Sequence, residues 1–366
     1  AYLFHLQRVH EITGWQLLGL HNIHFYMKLM RTMREHILAG TWLPFYRAQR
    51  DVLDARDSYG KAATHVTKAA ARAARRKRGR YEVIIRDDAG YIRDMTSGEV
   101  MHPGSDPAEE ARSLYLEQSR LIEHLQVPAD EPLVVWDVGL GAAANAMAAV
   151  LAAEALRSAP EGLSSAFEAR SLLLVSFEND LDSLKLALEH PRWFKHLRHA
   201  APRALLSENR WMSSRAAIDW RLLRGDFAAR KFEAPSPDII FFDPFSFRTD
   251  GALWTLAAFR ELAQACAPKA VEIFTYTYST SVRAAMLAAG FYVAKGRGTG
   301  PKAETTIGLS PPAAAAPHGH ALLGQEWLAK WRRSDAQAPF GASVEDVTWH
   351  GAVLTHPQFE IQKRLY

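Results

Sequence analysis

Between Pro132 and Leu309 short, mostly apolar runs alternate with helix-length segments, and no other feature restricts the fold of this chain as strongly. The runs are Leu133-Val-Val-Trp-Asp-Val138, Ser171-Leu-Leu-Leu-Val-Ser176, Trp220-Arg-Leu-Leu223, Asp238-Ile-Ile-Phe-Phe242 and Ala270–Thr277. Between or after them lie the helix-like stretches Ala142–Leu156, Leu253–Ala267 and Val282–Ala289. A strand that is apolar on both sides must be covered on both faces, and parallel neighbours need a crossover, usually a helix. The pattern predicts an α/β domain, a mostly parallel sheet with helices on both faces, closed by strands at Phe291–Lys295 and Glu304–Leu309. No stretch approaches the ~18 apolar residues that a membrane-spanning helix needs. The single cysteine, Cys266, excludes an internal disulfide and a multi-cysteine metal site. Nothing at the start reads as a secretory leader, so a cytoplasmic protein is expected.

Outside this block the texture differs. Apolar residues from Leu3 to Ile37 recur at three- to four-residue spacing, predicting helix over 1–57 with Gly40 as a terminator. Such a stripe cannot bury itself and must pack on something. Residues 58–80 form a basic linker with helix-favouring alanines, running from Lys61 through Lys68, Arg72, Arg75, Arg76, Lys77 and Arg78 to Arg80 without an acid. Residues 1–80 carry 15 Lys/Arg against 5 Asp/Glu in a chain whose net charge is only +4. A run of this kind is either a solvated linker helix or an arm for RNA phosphates, binding without sequence choice. Residues 81–130 read as a hairpin, Tyr81–Arg86 and Tyr91–Met95 around Asp87–Gly90, followed by an amphipathic helix from Pro107 to Leu125. The domain proper spans 131–310. Residues 311–366 read as a Pro/Ala linker (311–320), a helix near Leu322–Trp331 and a mixed tail.

Chemistry is expected at the carboxyl ends of the strands, where open α/β sheets bind ligands. Asp137-Val-Gly139-Leu-Gly141 follows the first strand and opens a helix, so its glycines let backbone approach a ligand. Glu178, after the second strand, can accept both hydroxyls of a ribose. Asp226, after the third, can meet an adenine amino group. Asp243-Pro244-Phe245 ends the fourth. An amine must be neutral to attack a sulfonium methyl, so its site needs an acceptor such as Asp243. Pro244 and Phe245 supply a fixed turn and an aromatic wall that would aim the nitrogen.

With these motifs in order, residues from about 95 to 309 resemble the methyltransferase domain of the bifunctional tRNA 5-methylaminomethyl-2-thiouridine biosynthesis protein. The matching stretches are Glu110-Ala-Arg-Ser-Leu-Tyr-Leu, Asp137-Val-Gly-Leu-Gly with Asn145, Ser176-Phe-Glu178 and Phe242-Asp243-Pro-Phe245. Trp254-Thr255, Phe274-Thr275-Tyr-Thr277, Val282-Arg283, Ala289-Gly290-Phe291 and Gly298-Thr-Gly300-Pro-Lys302-Ala-Glu304 continue the series. The resemblance implies a Rossmann-like, class I S-adenosylmethionine-dependent fold and methylation of an aminomethyl group on the tRNA wobble uridine. It implies that Asp243 is the catalytic acid at the amine. Asp137, Gly139, Gly141, Asn145, Glu178 and Asp226 would hold the cofactor, with Lys302 and Arg283 on the substrate side. Two departures stand out: Ala143 replaces the family's third loop glycine, which bears on cofactor affinity, and the acid motif reads Asp-Pro-Phe-Ser, which bears on the acceptor. The family's flavin-dependent oxidase half has no glycine fingerprint in the C-terminal stretch.

Residues 1–57 resemble something different, the C-terminal helices of bacterial tRNA-guanine transglycosylase, through Leu20-His-Asn-Ile-His-Phe-Tyr26, Leu29-Met-Arg31 and Arg34-Glu35. His21 matches that family's zinc-ligand histidine, but no cysteine partners are at hand, so no metal is expected. The family's catalytic aspartates have no counterpart here, so base exchange is not expected from this chain. The chain opens on Ala1 and is expected to continue an upstream transglycosylase reading frame. Both resemblances point to the anticodon stem-loop of tRNA as partner, with Lys61–Arg80 on its phosphates and no membrane. Two alternatives stay open: methylation of another amine or amide, and a non-catalytic tRNA-binding scaffold.

Overall fold

The amphipathic N-terminal stretch folds as two helices, α1 (Ile12–Leu38) and α2 (Trp42–Asp54), in the computed structural model. Gly40, at φ +69°, ends the first, a backbone conformation costly for any residue with a Cβ. The His36 ring then stacks on Phe45 at 4.3 Å and its Nδ1 meets Thr41 Oγ1 at 2.8 Å, pinning the turn. The structure describes residues 12–54, 76–86, 89–101, 106–158, 169–298, 303–342 and 347–361. They fall into two compact units, Ala1–Ala71 and Arg72–Tyr366. No described helix is long and apolar enough to cross a membrane.

The second unit opens with a small antiparallel sheet of β1 (Lys77–Arg78), β2 (Tyr81–Arg86) and β3 (Ala89–Asp94), the last two paired from Tyr81↔Asp94 to Arg86↔Ala89. The helix expected from Pro107 to Leu125 is broken. Asp106 caps α3 (Pro107–Glu110), which loosens into a π-helical turn over Ala111–Glu117; a left-handed Arg120 (φ +52°) then precedes α4 (Leu121–Gln126). Local side chains compete with the helix here, since Gln118 Nε2 donates back to Leu114 O at 3.2 Å and Ser119 Oγ to Tyr115 O.

The main sheet follows. It is built from β4 (Leu133–Val138), α5 (Ala144–Arg157), β5 (Leu172–Glu178), α6 (Asp182–Leu188), α7 (Ala201–Glu208), β6 (Arg210–Ser213), β7 (Ile218–Arg224) and α8 (Phe227–Arg230). Then come β8 (Ile239–Phe242), α9 (Leu256–Cys266), β9 (Glu272–Thr275), α10 (Thr280–Ala288), β10 (Tyr292–Arg297) and β11 (Glu304–Leu309). Nine strands lie in the order β12-β10-β11-β9-β8-β4-β5-β7-β6, where β12 is Ala321–Leu322. The five from β9 to β7 are parallel, while β6, β10, β11 and β12 run antiparallel at the two edges. Alternate residues serve two cores: Leu133 and Val135 face one, Val134, Trp136 and Val138 the other. That explains why the run shows no polar alternation.

The C-terminal segment differs from expectation. Instead of a linker, Pro311–Ala315 is a helix (α11) and β12 extends the sheet along β10. The helices α12 (Gln325–Trp331), α13 (Thr348–Leu354) and α14 (Pro357–Ile361) follow. Buried Gln358 ties α14 to the sheet edge, accepting from Val293 N at 2.8 Å and donating to Val293 O and Leu323 O. Its amide satisfies backbone groups that an edge strand otherwise leaves open.

Candidate functional site

The turn after β4 is shaped by close approach of two backbones. Gly139 has φ +88°, and a Cβ there would lie 2.7 Å from the carbonyl oxygen of Asp243 and 2.9 Å from Pro244 Cα. Only glycine fits. Gly141 (φ +53°) donates its N–H to Glu178 Oε2 at 3.0 Å, and Asp180 N donates to Oε1 at 2.9 Å. The half-buried Glu178 thus binds two turns together, and burial raises its pKa despite these bonds. Ala143, the departure from the family's glycine, sits at φ +59° as the residue before α5. Its left-handed geometry is one that glycine adopts freely and alanine only at a cost.

At the end of β8, Asn145 Nδ2, from the first turn of α5, donates to Asp243 Oδ2 at 2.7 Å. Asn145 is 4% exposed, and its Oδ1 has no partner among the described residues. Two buried phenols stand by: Tyr115 of the π-helical turn, and Tyr276 just past β9, which donates to Pro244 O at 3.2 Å. Burial first, then the neighbouring Asp243 and other carboxylates, hold both well above the ordinary tyrosine range. They are neutral hydrogen-bond donors at any physiological pH. The loop beyond is fixed by acids as well. Phe245 N donates to Asp250, and Ser246 N, Ser246 Oγ and Thr249 Oγ1 all donate to Glu99, each at 2.8–2.9 Å. Burial raises the pKa of Asp250.

These groups line one cavity of about 430 Å³ along the carboxyl ends of the parallel strands. Gly139, Gly141, Asn145, Glu178, Asp226, Asp243, Pro244 and Phe245 all border it. Three expected residues do not. Asp137 lies beneath the floor, accepting from Ser176 Oγ at 2.7 Å, which itself accepts from Trp220 Nε1; burial pushes its pKa up to about 7. Arg283 is 2% exposed and bonded to Glu304, Thr306 Oγ1 and Thr305 O, so it is a buried brace between α10 and β11. Lys302 lies outside the described residues.

The cavity also has walls that sequence reading missed. Arg80, Tyr81 and Glu99–Met101 come from the small sheet and its exit, Glu110 from α3, and Tyr276 from beyond β9. Glu110 and Tyr276 sat inside stretches that carried the family resemblance, so a signal existed; the hairpin wall left none. Asp226 also caps α8, accepting from Ala228 N at 3.0 Å. The described end of the basic run is largely committed within the protein. Arg78 pairs with Glu189 and Asp182, Arg80 with Asp94 and Asp180, and Arg76 covers Trp193. That corrects the expectation that the run as a whole faces phosphates, since neighbouring acids neutralise its last arginines; Lys61–Arg75 lie outside the described residues. His21 is exposed on α1, and no group of three or more metal-capable side chains occurs among the described residues.

Residues 189–311 match the family described as S-adenosyl-L-methionine-dependent methyltransferase, and residues 1–53 match queuine tRNA-ribosyltransferase. The structure is similar to that of MNMC2 from Aquifex aeolicus, with a TM-score of 0.54 at 17% identity over 87% of this chain and 96% of that one. The second unit carries the fold and the family signature of an S-adenosylmethionine-dependent methyltransferase. The methyltransferase unit is also similar to the tRNA 5-methylaminomethyl-2-thiouridine biosynthesis bifunctional protein MnmC of Aeromonas hydrophila. The two are 27% identical over 234 residues, 61% of this chain and 34% of that protein. The N-terminal helices are similar to queuine tRNA-ribosyltransferase of Acidithiobacillus ferrooxidans, 60% identical over 40 residues, which are 11% of each chain. The chain therefore spans about a third or less of the curated relatives it matches.

Proposed function

We propose that the methyltransferase unit transfers a methyl group from S-adenosylmethionine to the nitrogen of an aminomethyl group on a tRNA wobble uridine. The observation that carries this reading is Asp243, held by Asn145 and bordered by two neutral tyrosines in the cavity that Glu178 and Asp226 also line. The residues fit the cofactor. Asp226 and Asp243 follow strands three spacings apart in the sheet, roughly 14 Å, enough for an adenosyl group at one end and a reacting methyl at the other. Glu178, at the end of β5 between those strands, would accept the ribose hydroxyls, and the unpartnered Asn145 Oδ1 offers an acceptor to a donor of the bound ligand. When bound, S-adenosylmethionine supplies a methyl on a positively charged sulfur.

The protein's part is placement and charge. Asp243 accepts a hydrogen bond from the amine and turns its lone pair toward the methyl, while Asn145 fixes the carboxylate. Pro244 and Phe245 bound the acceptor, with Phe245 backed by a parallel Tyr81 ring at 6.4 Å. Six carboxylates line the cavity, and the one basic residue among the described lining, Arg80, is already paired. Such a lining favours cationic ligands, a sulfonium and an alkylamine. The names of both sets of relatives refer to tRNA, which supports an RNA acceptor presented by the anticodon stem-loop. We infer that the basic residues 58–75 contribute phosphate affinity there, that the boundary between modules lies between residues 57 and 80, and that the N-terminal helices complete an upstream transglycosylase module. The Asp-Pro-Phe-Ser motif favours a second reading, a different amine acceptor in the same site.

The test is nucleoside mass spectrometry after incubation of aminomethyl-uridine tRNA with wild type and Asp243→Ala. Wild type should add one methyl to the aminomethyl nitrogen, and Asp243→Ala should be slower by about 10²-fold or more. Equal yields would remove Asp243 from the chemistry. A wild type that ignores this tRNA but methylates a small amine would establish the second reading.

A further inference from the structure

We propose that Glu110 is the proton acceptor of this site, taking the proton that an incoming ammonium must lose while Asp243 holds the nitrogen in line. The inference rests on the amine-methylation reading above. Glu110 is 8% exposed and lines the same cavity as Asp243, at the joint where α3 loosens into the π-helical turn that carries Tyr115. Such π-helical turns are often found at functional sites. The charges of Glu110 and Asp243 both act on Tyr115 and both act on Tyr276, so the two acids flank one pair of phenols. The helix bearing Glu110 packs on α5, whose first turn supplies Asn145 to Asp243.

The chemistry needs two acids. A primary alkylamine resembles a lysine side chain, with a pKa near 10.4, so fewer than about one molecule in 10³ is neutral at pH 7. Asp243 is anchored through Oδ2 by Asn145 and suits a fixed hydrogen bond. In the proposed step an N–H bond of the ammonium breaks and its proton passes to the Glu110 carboxylate. The freed lone pair forms the N–C bond to the methyl as the S–C bond breaks, and that electron pair stays on sulfur, which becomes a neutral thioether. The product leaves as a secondary ammonium, and Glu110 returns its proton to water.

The experiment compares wild type, Glu110→Gln and Glu110→Asp at saturating S-adenosylmethionine on aminomethyl-uridine tRNA from pH 6.5 to 10, with cofactor affinity by calorimetry and melting temperature alongside. Glu110→Gln should lose about 10²-fold in kcat/KM at pH 7, and the deficit should shrink to a few-fold near pH 10, where the amine is neutral without help. Glu110→Asp should recover part of the rate with the wild-type pH dependence, and cofactor affinity should stay within threefold for both variants. A deficit of constant size across pH, or no deficit, overturns the proposal. So does a tenfold loss of cofactor affinity or a collapse of melting temperature in both variants, since Glu110 would then serve the cofactor or the fold. Wild type inactive on every amine-bearing tRNA would defeat the function reading itself and this inference with it; an active wild type with a parallel Glu110→Gln profile defeats this inference alone.

Discussion

Gly139→Ala is the sharpest perturbation the structure offers, because what it strikes is backbone and cannot swing aside. The new methyl would lie 2.7 Å from the carbonyl oxygen of Asp243, 2.9 Å from its carbon and 2.9 Å from Pro244 Cα. Comfortable contact begins near ~3.5 Å, so the ends of β4 and β8 must part by roughly 0.5–0.8 Å. They are tied by Asp243 N donating to Val138 O at 2.9 Å, so the separation strains a sheet hydrogen bond. The left-handed φ of +88° adds about 1–2 kcal/mol for a residue with a Cβ, and overpacking adds about 1–3 kcal/mol. A loss of about 2–5 kcal/mol is expected in urea unfolding. Any folded protein should carry Asp243 displaced from the Asn145 bond, and a misplacement approaching 1 Å slows chemistry by about 10². The assay pairs urea midpoints with initial methyl-transfer rates measured below the unfolding transition. Wild-type stability together with a wild-type rate would refute the claim that backbone contact at Gly139 positions Asp243.

Arg283→Leu should lower stability by about 2–3 kcal/mol, because the buried guanidinium bonds Glu304, Thr306 and Thr305 O, while KM for the amine substrate stays within twofold in the folded fraction; a selective rise in KM would restore the substrate role that the resemblance implied. His356, buried between the Tyr292 and Phe359 rings, has its pKa lowered to about 4 by burial. Its charged form is disfavoured in the folded state, so the unfolded state binds the extra proton between about pH 6.5 and 4. Stability should therefore fall on acidification through that window by up to about 3 kcal/mol. His356→Leu should flatten the dependence in a pH series of thermal melts, and an unchanged slope would assign the acid sensitivity elsewhere.

The parallel core of the sheet was legible because burial on both faces leaves an unbroken apolar run, and Leu133–Val138, Ser171–Ser176 and Asp238–Phe242 show one or close to it. The strand ends were legible for the same reason: Gly139, Glu178 and Asp243 come just past the apolar runs and the ladder sets them level, while Gly141 and Asp226 follow two residues further on. Asp137 shows the limit. It is one residue before the end of a strand, and a period of two carries it beneath the floor against Ser176, where spacing alone cannot separate floor from lining. Arg283 was placed on the substrate side by resemblance alone, and its partners on β11, Glu304 and Thr306, show themselves only in the fold. The antiparallel edge strands and the C-terminal braces depend on contacts such as Gln358 with Val293, and local pattern carries no trace of those. Arg80, Tyr81 and Glu99 reach the cavity only because the small sheet folds back beside the motif loop, a long-range choice fixed by Glu99 and Ser246.

The charge of the cavity and the charge of the basic run belong to different parts of one problem. An RNA phosphate is disfavoured in a space lined by Glu99, Glu110, Glu178, Asp226, Asp243 and Asp250, where burial, with a smaller contribution from neighbouring Glu99, already raises the pKa of Asp250. The only basic side chain among the described lining residues, Arg80, is held by Asp94 and Asp180, so it does not offset them for a ligand. If the acceptor is a wobble uridine, its phosphates must stay outside while a short cationic arm reaches in. The aminomethyl substituent supplies such an arm, and an unmodified base does not. The acidic lining would then reject the backbone and favour the modified nucleoside with the same set of charges, which leaves affinity for the RNA as a whole to cations elsewhere on the chain.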